Sequence, residues 1–266
     1  MKSIFISMGA GIQTTAAEIL IYQGKIKADE IIFSDTGLEK PETYRYIEKY
    51  LKPLSNEMNV SFTTVHMDIW VDEVDQTNQK TGKRIHCKSL RDLIVARRRL
   101  PSIRMRWCTD KAKITPIKMY IRSQQEQGEY VKPAQGIIGI STDEKHRMHQ
   151  PHMSEYKNIF PLVDLGISRE KCKGIIKDFG WQLPEKSGCY LCPFQGGREW
   201  DTLFYNHNDL FNDSMTLEKR DVKYPTYRLY QRETLEKFGE KRKLGRYNMS
   251  IFDDWEGEEC SGVCML

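Results

Sequence analysis

Strand and helix patterns alternate through the first half of this chain, and their order is the feature that most restricts its fold. Apolar runs typical of strands occupy residues 3–7, 30–34 and 61–66, and helical patterns over 14–23 and 41–53 separate them. Repeated strand, helix and strand segments predict a parallel sheet with helices on both faces. Ligands of such sheets bind beyond the carboxyl ends of the strands.

The remaining sequence extends this pattern and then departs from it. Helices are predicted near 88–99, over 113–126 and over 168–180, an apolar strand over 136–141, and a cysteine-bearing loop over 186–198. The predicted fold class is therefore α/β, a doubly wound, mostly parallel, Rossmann-like sheet with a helical, cysteine-bearing C-terminal extension. We predict an α/β domain over 1–166 and a C-terminal subdomain over 167–266 that packs on it.

Composition narrows the class of protein further. The 266 residues are 39% hydrophobic, which suffices for one domain or for one domain with an appended subdomain. No apolar run approaches the roughly 18 residues of a membrane span, and no signal-peptide pattern follows Lys2, so a cytoplasmic location is expected. In that compartment, seven cysteines favour metal binding or redox chemistry over a disulfide framework.

The segment ISMGAGIQTTAAEIL, residues 6–20, places glycines and hydroxyls between the first strand and the first helix. Ser7, Gly9, Gly11 and the run Gln13-Thr14-Thr15 bring backbone N–H groups, hydroxyls and a helix N-terminus to one place. Such a turn is typical of an anion site. A tight turn that uses glycine for its geometry alone is the alternative.

A second polar segment follows the second predicted strand. Asp35, Thr36, Gly37 and Glu39 lie there, just before Pro41 opens a helix. A carboxylate and a hydroxyl at the end of a strand suit ribose or metal contact in a nucleotide site. Helix capping by Asp35 or Thr36 also explains them.

Together these residues resemble the PP-loop ATP pyrophosphatase superfamily, in its phosphoadenosine phosphosulfate (PAPS) reductase-like branch, which is related to the DNA phosphorothioation ATP pyrophosphatases. The resemblance continues through RWCTDKAKITPI (106–117), GIIGISTDEKHRM (136–148), FPLVDLGISREKC (160–172), SGCYLCPFQGGREW (187–200) and EECSGVCML (258–266). It spans nearly the whole chain and implies an adenine nucleotide alpha hydrolase-like fold.

The resemblance implies an enzyme that binds ATP with Mg²⁺. The residues it assigns to the nucleotide are Ser7, Gly9, Gly11, Gln13, Thr14, Thr15, Asp35, Thr36, Gly37, Glu39, Gly139 and Ser141. No lysine lies between Lys2 and Lys25, unlike the loop of many PP-loop ligases, so charge neutralisation must come from Mg²⁺ or other cations. The residues expected to serve the reaction are Asp35, Arg106, Lys113, Asp143 and Arg147, with Lys111 a further candidate cation and Glu144 in the same loop. A solvated charged loop is the alternative for residues 143–147.

The cysteines indicate a metal centre. Cys189 and Cys192 form a C-x-x-C motif, and thiolates from elsewhere in the fold can complete such a site. Spacing does not separate zinc from a [4Fe-4S] cluster. The resemblance favours the cluster, with Cys108, Cys189 and Cys192 as ligands and Cys264 or Cys260 as the fourth. Buried apolar thiols are the alternative, which we favour for Cys172 and leave open for Cys87.

Cys260 has a second possible role. In sulfonucleotide reductases a C-terminal cysteine attacks sulfur, and Glu259-Cys260-Ser261-Gly262 loosely resembles that ending. A reactive tail thiol of this kind would be released by an external thiol. The second cysteine nearby, Cys264, favours chelation instead.

Arginines precede Cys108 in the run ARRRLPSIRMRW, residues 96–107. Arg97, Arg98, Arg99 and Arg104 lie beside Trp107, a combination that suits phosphate tracking and base stacking. A second basic run covers residues 236–247. A solvated charged face is the alternative for both.

Three functions are therefore carried forward. The first is ATP-dependent sulfur insertion into DNA or tRNA, with a cysteine desulfurase as a possible sulfur donor. The second is a sulfonucleotide reductase that acts through Cys260. The third is a non-catalytic nucleotide- or nucleic-acid-binding module with structural zinc. The missing E-C-G-L-H ending disfavours the second, and the intact series of loop motifs disfavours the third.

Overall fold

The computed structural model describes residues 1–150, 152–221, 227–230 and 232–244. Its strands are β1 (Lys2–Met8), β2 (Glu30–Asp35), β3 (Ser61–His66), β4 (Ile69–Val74), β5 (Lys80–Cys87), β6 (Tyr130–Ile137) and β7 (Tyr156–Ile159). Its helices are α1 (Ile12–Tyr22), α2 (Pro41–Tyr46), α3 (Lys52–Glu57), α4 (Leu90–Arg97), α5 (Trp107–Thr109), α6 (Thr115–Glu126), α7 (Pro161–Asp164), α8 (Arg169–Asp178), α9 (Gly197–Asn206), α10 (Asn208–Glu218) and α11 (Leu235–Lys243).

A five-stranded parallel sheet in the order β3-β2-β1-β6-β7 forms the first of two compact units. The predicted α/β fold class is confirmed. The chain steps outward from β1 through β2 to β3 and later returns to the other side of β1 with β6 and β7. The strand order therefore reverses between β1 and β6, and open α/β sheets bind ligands in the crevice at such a reversal.

Both faces of this sheet are buried, as a parallel sheet requires. Phe5 and Ile6 are adjacent in β1 and fully buried, yet they belong to two separate apolar clusters, because successive side chains of a strand point to opposite faces. One cluster includes α1 and α8, and the other includes α6. The strand β1 is therefore central in the fold and fixes the position of the loop that follows it.

Two buried carboxyl groups mark this unit. Glu30 opens β2 and accepts hydrogen bonds from Lys2 Nζ (3.0 Å), Thr63 Oγ1 (2.5 Å), Tyr120 OH (2.7 Å) and Tyr130 OH (2.8 Å). Glu18 of α1 is fully buried, and neither of its carboxyl oxygens has a hydrogen-bond partner among the residues described. Burial therefore raises the pKa of Glu18 well above its ordinary value.

Two helices pass through π-helical turns that precede prolines. The predicted helix over 41–53 continues to Glu57, with a π-helical turn over Ile47–Leu51 between α2 and α3. A second such turn, Asp110–Ile114, precedes α6 and its Pro116. A proline within a helix has no N–H to donate and its ring crowds the preceding turn. The wider turns let both helices continue past their prolines.

The strand β6 begins and ends earlier than the apolar strand predicted at 136–141. Its pairing with β1 shifts register between Lys2, which lies opposite Tyr130, and Ile4, which lies opposite Gln135. Pro133 falls within this irregularity, where the ladder needs no N–H donor. Residues 138–141 remain buried but continue beyond the strand, toward the sheet edge.

The second unit contains an antiparallel hairpin that the sequence patterns did not predict. Strands β4 and β5 pair with Trp70 opposite His86 and Val71 opposite Ile85. The side chain of Asp75 shapes the turn between them by accepting hydrogen bonds from the backbone N–H groups of Thr77 (2.8 Å) and Gln79 (3.0 Å).

This second unit joins two distant stretches of the chain. Its described parts are residues 68–108 and the described residues from 189 onward. The guanidinium of Arg91 in α4 donates to both carboxylate oxygens of Asp213 in α10, at 3.1 and 2.7 Å. The backbone N–H of Leu100 donates to Asp221 at 2.9 Å.

The two units divide the chain at other positions than the predicted 1–166 and 167–266. Residues 109–188 belong to the first unit, including α8, although α8 follows the predicted boundary. The reason is that Cys172 and Ile176 of α8 are fully buried in the same apolar cluster as α1. In the part of the chain that is described, no helix combines the length and apolar character needed to cross a membrane.

Candidate functional site

The loop after β1 turns sharply into α1. Ala10 adopts a left-handed backbone with a φ of 53° and is almost fully buried. Residues other than glycine reach this conformation at a cost of about 1–2 kcal/mol. A buried, strained residue inside the turn indicates that its surroundings enforce the path of this loop, and such strain is often found at ligand sites.

Hydrogen bonds between Gly11 and Thr14 hold the N-terminus of α1. The N–H of Gly11 donates to Thr14 Oγ1 at 3.2 Å, and the Thr14 hydroxyl lies 3.2 Å from the carbonyl oxygen of Gly11. Gln13, Thr14 and Thr15 are all buried. The partial positive charge of an 11-residue helix is thus directed at the end of β1, where it favours an anion.

The chain beyond β6 passes directly against this helix N-terminus. A Cβ atom added to Gly139 would lie 2.6 Å from Thr14 Cγ2 and 3.2 Å from the backbone nitrogen of Thr14. Only glycine permits that approach without displacing one of the two segments. Gly139, which the resemblance assigns to the nucleotide, therefore packs closely on the N-terminus of α1 at the point where the strand order reverses.

The turn after Gly139 carries a charged network anchored to α1. Gln13 Nε2 donates to Glu144 Oε2 at 3.0 Å, and Arg147 donates to the other carboxylate oxygen of Glu144. The side chains of Glu144 and Arg147 are both mostly buried, so the alternative of a solvated loop does not describe them. Sequence reasoning placed Glu144 in a loop that faces the nucleotide but did not predict its contacts, although its spacing of three residues from Arg147 permits such a pair.

Asp143 and Ser141 support the same turn. Asp143 Oδ2 accepts a hydrogen bond from the N–H of Arg169 at the start of α8, at 2.6 Å. Ser141 is fully buried, and its hydroxyl lies 3.5 Å from the same carboxylate oxygen. Asp143 thus fixes the turn to α8, a positioning contact that the sequence did not indicate.

The loop after β2 fixes the carboxylate of Asp35. Asp35 Oδ1 accepts hydrogen bonds from the N–H of Gly37 at 2.8 Å and from Tyr44 OH at 2.7 Å, while His66 Nδ1 lies 4.0 Å from Oδ2. Burial and then the hydrogen bond to Asp35 raise the pKa of Tyr44. The phenol therefore stays protonated and donates to Asp35 throughout the physiological pH range.

A mostly buried cation lies beside this loop. Lys113 Nζ lies 3.6 Å from Glu39 Oε1, and the Thr36 hydroxyl donates to the same oxygen at 3.1 Å. The Lys113 side chain is 15% exposed and that of Glu39 only 2%, so this pair is held largely away from water. Ser34 at the end of β2 donates to the carbonyl of Ala112 at 2.8 Å, which ties the turn that carries Lys113 to the strand.

The first unit thus brings together three of the predicted segments at the carboxyl ends of β1, β2 and β6. These are the loop from Ser7 to Thr15, the loop from Asp35 to Glu39 with Lys113, and the turn from Gly139 to Arg147. Arg106 belongs to the second unit, where its guanidinium lies 4.8 Å above the ring of Phe194. Cys260 lies outside the described residues.

The predicted metal ligands fall into two groups. Cys108, Cys189 and Cys192 belong to the second unit, and the N–H of Cys192 donates to the carbonyl of Cys189 at 3.0 Å in a tight turn. Burial raises the pKa of Tyr227, and the nearby Cys192 and Cys108 raise it further, so both thiols lie within electrostatic range of one phenol. Cys264 lies outside the described residues.

Across the described ranges, no three His, Cys, Asp or Glu side chains are placed to hold one metal ion. The [4Fe-4S] or zinc centre therefore stays a prediction that depends on Cys260 or Cys264. Cys87 and Cys172 are both fully buried, as favoured for Cys172. Burial raises the pKa of the Cys172 thiol to about 12.

The predicted arginine run forms the end of α4 and the segment after it. Arg97 and Arg104 are exposed, and Arg98 ends α4 in a left-handed conformation with a φ of 45°. Arg99 donates to the sulfur of Met105 at 3.0 Å. These positions are compatible with a polyanion partner and do not identify one.

Comparison with solved structures finds chains of similar fold. No protein-family model and no curated protein matches the chain. The crystal structure of phosphoadenylyl-sulfate (PAPS) reductase from Candida auris, as a phosphate complex, is 13% identical, with 70% of this chain and 76% of that chain covered and a TM-score of 0.41. Values this low establish neither activity nor substrate.

Proposed function

We propose that this chain is an ATP pyrophosphatase of the PP-loop, PAPS reductase-like superfamily, and that it adenylates a nucleic-acid acceptor for sulfur insertion. The observation that carries the nucleotide site is the close approach of Gly139 to the N-terminus of α1, at the reversal of strand order. A strained loop and a helix N-terminus lie at that point, and the mostly buried cation Lys113 lies beside the end of the neighbouring strand β2. We infer that together they suit a polyphosphate.

The reaction would transfer AMP and release pyrophosphate. The acceptor oxygen forms a bond to the α-phosphorus while the bond from the α-phosphorus to the α,β-bridging oxygen breaks. Lys113 and Arg147 are assigned to the negative charge of the phosphates, with Mg²⁺ bound to the nucleotide. Asp35, held by Tyr44 and Gly37, is assigned to the ribose or to the nucleotide-bound metal.

Sulfur delivery is the second half of the proposal. Adenylation makes the acceptor oxygen a good leaving group, which departs as part of AMP when sulfur forms the new bond to the acceptor. Sulfide completes the exchange in this one step. A persulfide first gives a disulfide between acceptor and carrier, and a second thiol then reduces that disulfide and frees the acceptor sulfur. Cys108, Cys189 and Cys192, with Cys260 or Cys264, would hold a [4Fe-4S] cluster or zinc, and a cluster would supply bound sulfide. A cysteine desulfurase is the proposed sulfur source. DNA and tRNA are the acceptor classes to be compared.

The test measures pyrophosphate release from Mg·ATP by the full chain, purified anaerobically, with single-stranded DNA, duplex DNA, tRNA or no nucleic acid. We expect release that depends on one of these acceptors. Lys113→Gln should lower the rate by about 10²–10³-fold, as the loss of one electrostatic stabiliser does in other enzymes. Lys111→Gln is the matched control, because Lys111 is more exposed and pairs with Asp110 at 2.8 Å.

Contrary outcomes distinguish the competing functions. Sulfite release from PAPS or APS with a thiol donor, and no consumption of ATP, would replace the proposal with a sulfonucleotide reductase. Nucleotide binding with neither reaction would replace it with a binding module. Iron and sulfide analysis of the same sample, with a visible spectrum, tests the metal centre, and zinc alone would contradict the cluster.

A further inference from the structure

The hairpin of β4 and β5 has one apolar face and one polar face that carries an exposed tryptophan. Val71 and Cys87 point to the inner face, where both are buried with Leu93 and Ile94 of α4. Trp70 alternates with them and points outward, with 57% of its surface exposed. An indole on the solvent side of a strand gains little from folding and stays available for contact with a partner.

The orientation of Trp70 is fixed by its neighbours. Its ring stacks on the imidazole of His86 across the hairpin, with centroids 4.8 Å apart and planes within 7° of parallel. The carboxylate of Asp68 contacts His86 Nε2 and holds the imidazole in place. One face of the indole is therefore covered by His86, and the opposite face forms a rigid, flat aromatic surface that needs little ordering on binding.

The charges around this surface favour an anionic partner. Residues 68–108 contain ten lysines and arginines against five aspartates and glutamates, whereas the whole chain has a net charge of only +4. Two of these acidic residues are paired, Asp72 with Lys80 at 2.5 Å and Asp68 with His86. Arg84, which lies opposite Asp72 in the hairpin, is exposed on the same face as Trp70.

We propose that the outer face of the β4–β5 hairpin binds single-stranded nucleic acid, with an unpaired base stacked on Trp70 and a phosphate beside Arg84. Flat aromatic rings next to cations are the features that single-strand binding uses without sequence preference. A duplex offers stacked and paired bases, so it cannot use the indole face. This inference deepens the proposed function, because it specifies a single-stranded region as the part of the acceptor that this unit contacts.

The test measures fluorescence anisotropy of labelled dT20 and rU20 with the full chain and no ATP, alongside a 20-base-pair duplex and heparin. Trp70→Ala should weaken binding of the single strands roughly 5- to 150-fold, the loss expected when one base stack is removed. Trp70→Phe should lose less, because it keeps an aromatic face. Tyr205→Ala, which removes a 65% exposed aromatic ring from α9, is the matched control and should bind as the wild type does.

Two further measurements separate stacking from charge. Arg84→Gln should weaken the binding of dT20 and of heparin alike and reduce the dependence of binding on salt. Quenching of tryptophan fluorescence by dT20 should be large in the wild type and small in Trp70→Phe, even if Trp70→Ala fails to fold.

The proposal is overturned if the wild type binds no single strand, or if Trp70→Phe and Trp70→Ala bind dT20 as the wild type does. It is also overturned if Trp70→Ala weakens heparin binding as much as it weakens dT20 binding. Competition by polyglutamate as effective as that by dT20 would assign the surface to an acidic protein instead. Because these assays contain no ATP, Lys113→Gln should bind dT20 normally. If the hairpin does not bind single strands, the pyrophosphatase proposal is unaffected. If pyrophosphate release is absent, single-strand binding by the hairpin is likewise unaffected.

Discussion

Replacing Gly139 by alanine tests the site most directly. The added methyl group would lie 2.6 Å from Thr14 Cγ2, and this contact must lengthen by roughly 0.8 Å to reach the ordinary van der Waals range that begins at 3.4 Å. The backbone nitrogen of Thr14 is also too close, at 3.2 Å, so rotation of the threonine side chain alone does not relieve the clash. The N-terminus of α1 or the turn after β6 must move.

The size of this effect follows from two general magnitudes. Overpacking of this kind costs about 1–3 kcal/mol of unfolding free energy. A displacement close to 1 Å in a group that positions substrate lowers turnover by about 10²-fold. Gly139→Ala should therefore unfold at a lower urea concentration, and it should lose nucleotide binding and pyrophosphate release by more than its stability loss explains.

Gly174→Ala is the matched control, since Gly174 lies within α8 and an added Cβ meets nothing within 4 Å. This variant should be stabilised by about 0.5–1 kcal/mol and keep its nucleotide affinity. The assays are urea unfolding followed by circular dichroism and titration calorimetry with Mg·ATP at a temperature where both variants are folded. If Gly139→Ala binds ATP as Gly174→Ala does, the packing of Gly139 on α1 does not form the nucleotide site.

Three further predictions concern carboxyl groups. Burial alone would raise the pKa of Glu30, but its hydrogen bonds outweigh burial and lower that pKa. The stability that Glu30 contributes is thus present above pH 4.5, its ordinary pKa, and is lost as the pH falls through its pKa in the folded protein. In urea titrations, Glu30→Gln should therefore reduce the dependence of the unfolding free energy on acid pH. An unchanged dependence would contradict this prediction. Glu18→Leu should raise the free energy of unfolding at pH 7 by about 1–3 kcal/mol, because it removes a buried carboxyl group without a hydrogen-bond partner among the described residues, and a loss of stability would show that the group is satisfied. Glu144→Gln should tighten pyrophosphate binding several-fold in calorimetry, because it removes a repulsion on the order of 1 kcal/mol between the Glu144 carboxylate and the anionic ligand. Weaker binding would show that Glu144 orients Arg147 for the ligand.

The strands β1 and β2 were predictable because they are short apolar runs with buried residues on both faces. The strand β3 was also predicted, whereas β7 was not. The segments at the ends of β1, β2 and β6 were also predictable as neighbours, since parallel strands end at one edge of a sheet. The hairpin was missed because Trp70, an apolar residue, points outward and obscures the alternation that marks a strand. Pro133 concealed the start of β6, since a proline disfavours an interior strand unless the pairing is irregular there.

The details of the site were less accessible from the sequence. Nothing local indicates that Glu144 reaches Gln13, because the two residues are 131 positions apart and meet only once the sheet has formed. The role of Asp143 at the start of α8 has the same origin. The domain boundary was predicted near residue 167 because the alternation of strands and helices ends there. The following helix, α8, nevertheless packs in the same apolar cluster as α1.

The second unit has a consequence for how the protein is made. Arg91 emerges from the ribosome 122 positions before Asp213, its bidentate partner. At roughly 5–20 residues per second, translation leaves α4 and its hairpin without that partner for about 6–24 s. During this interval the guanidinium of Arg91 and the backbone N–H of Leu100 also lack the carboxylates that later bind them. A fragment that ends before residue 189 would lack both partners permanently, so we expect such truncations to be less stable than the full chain.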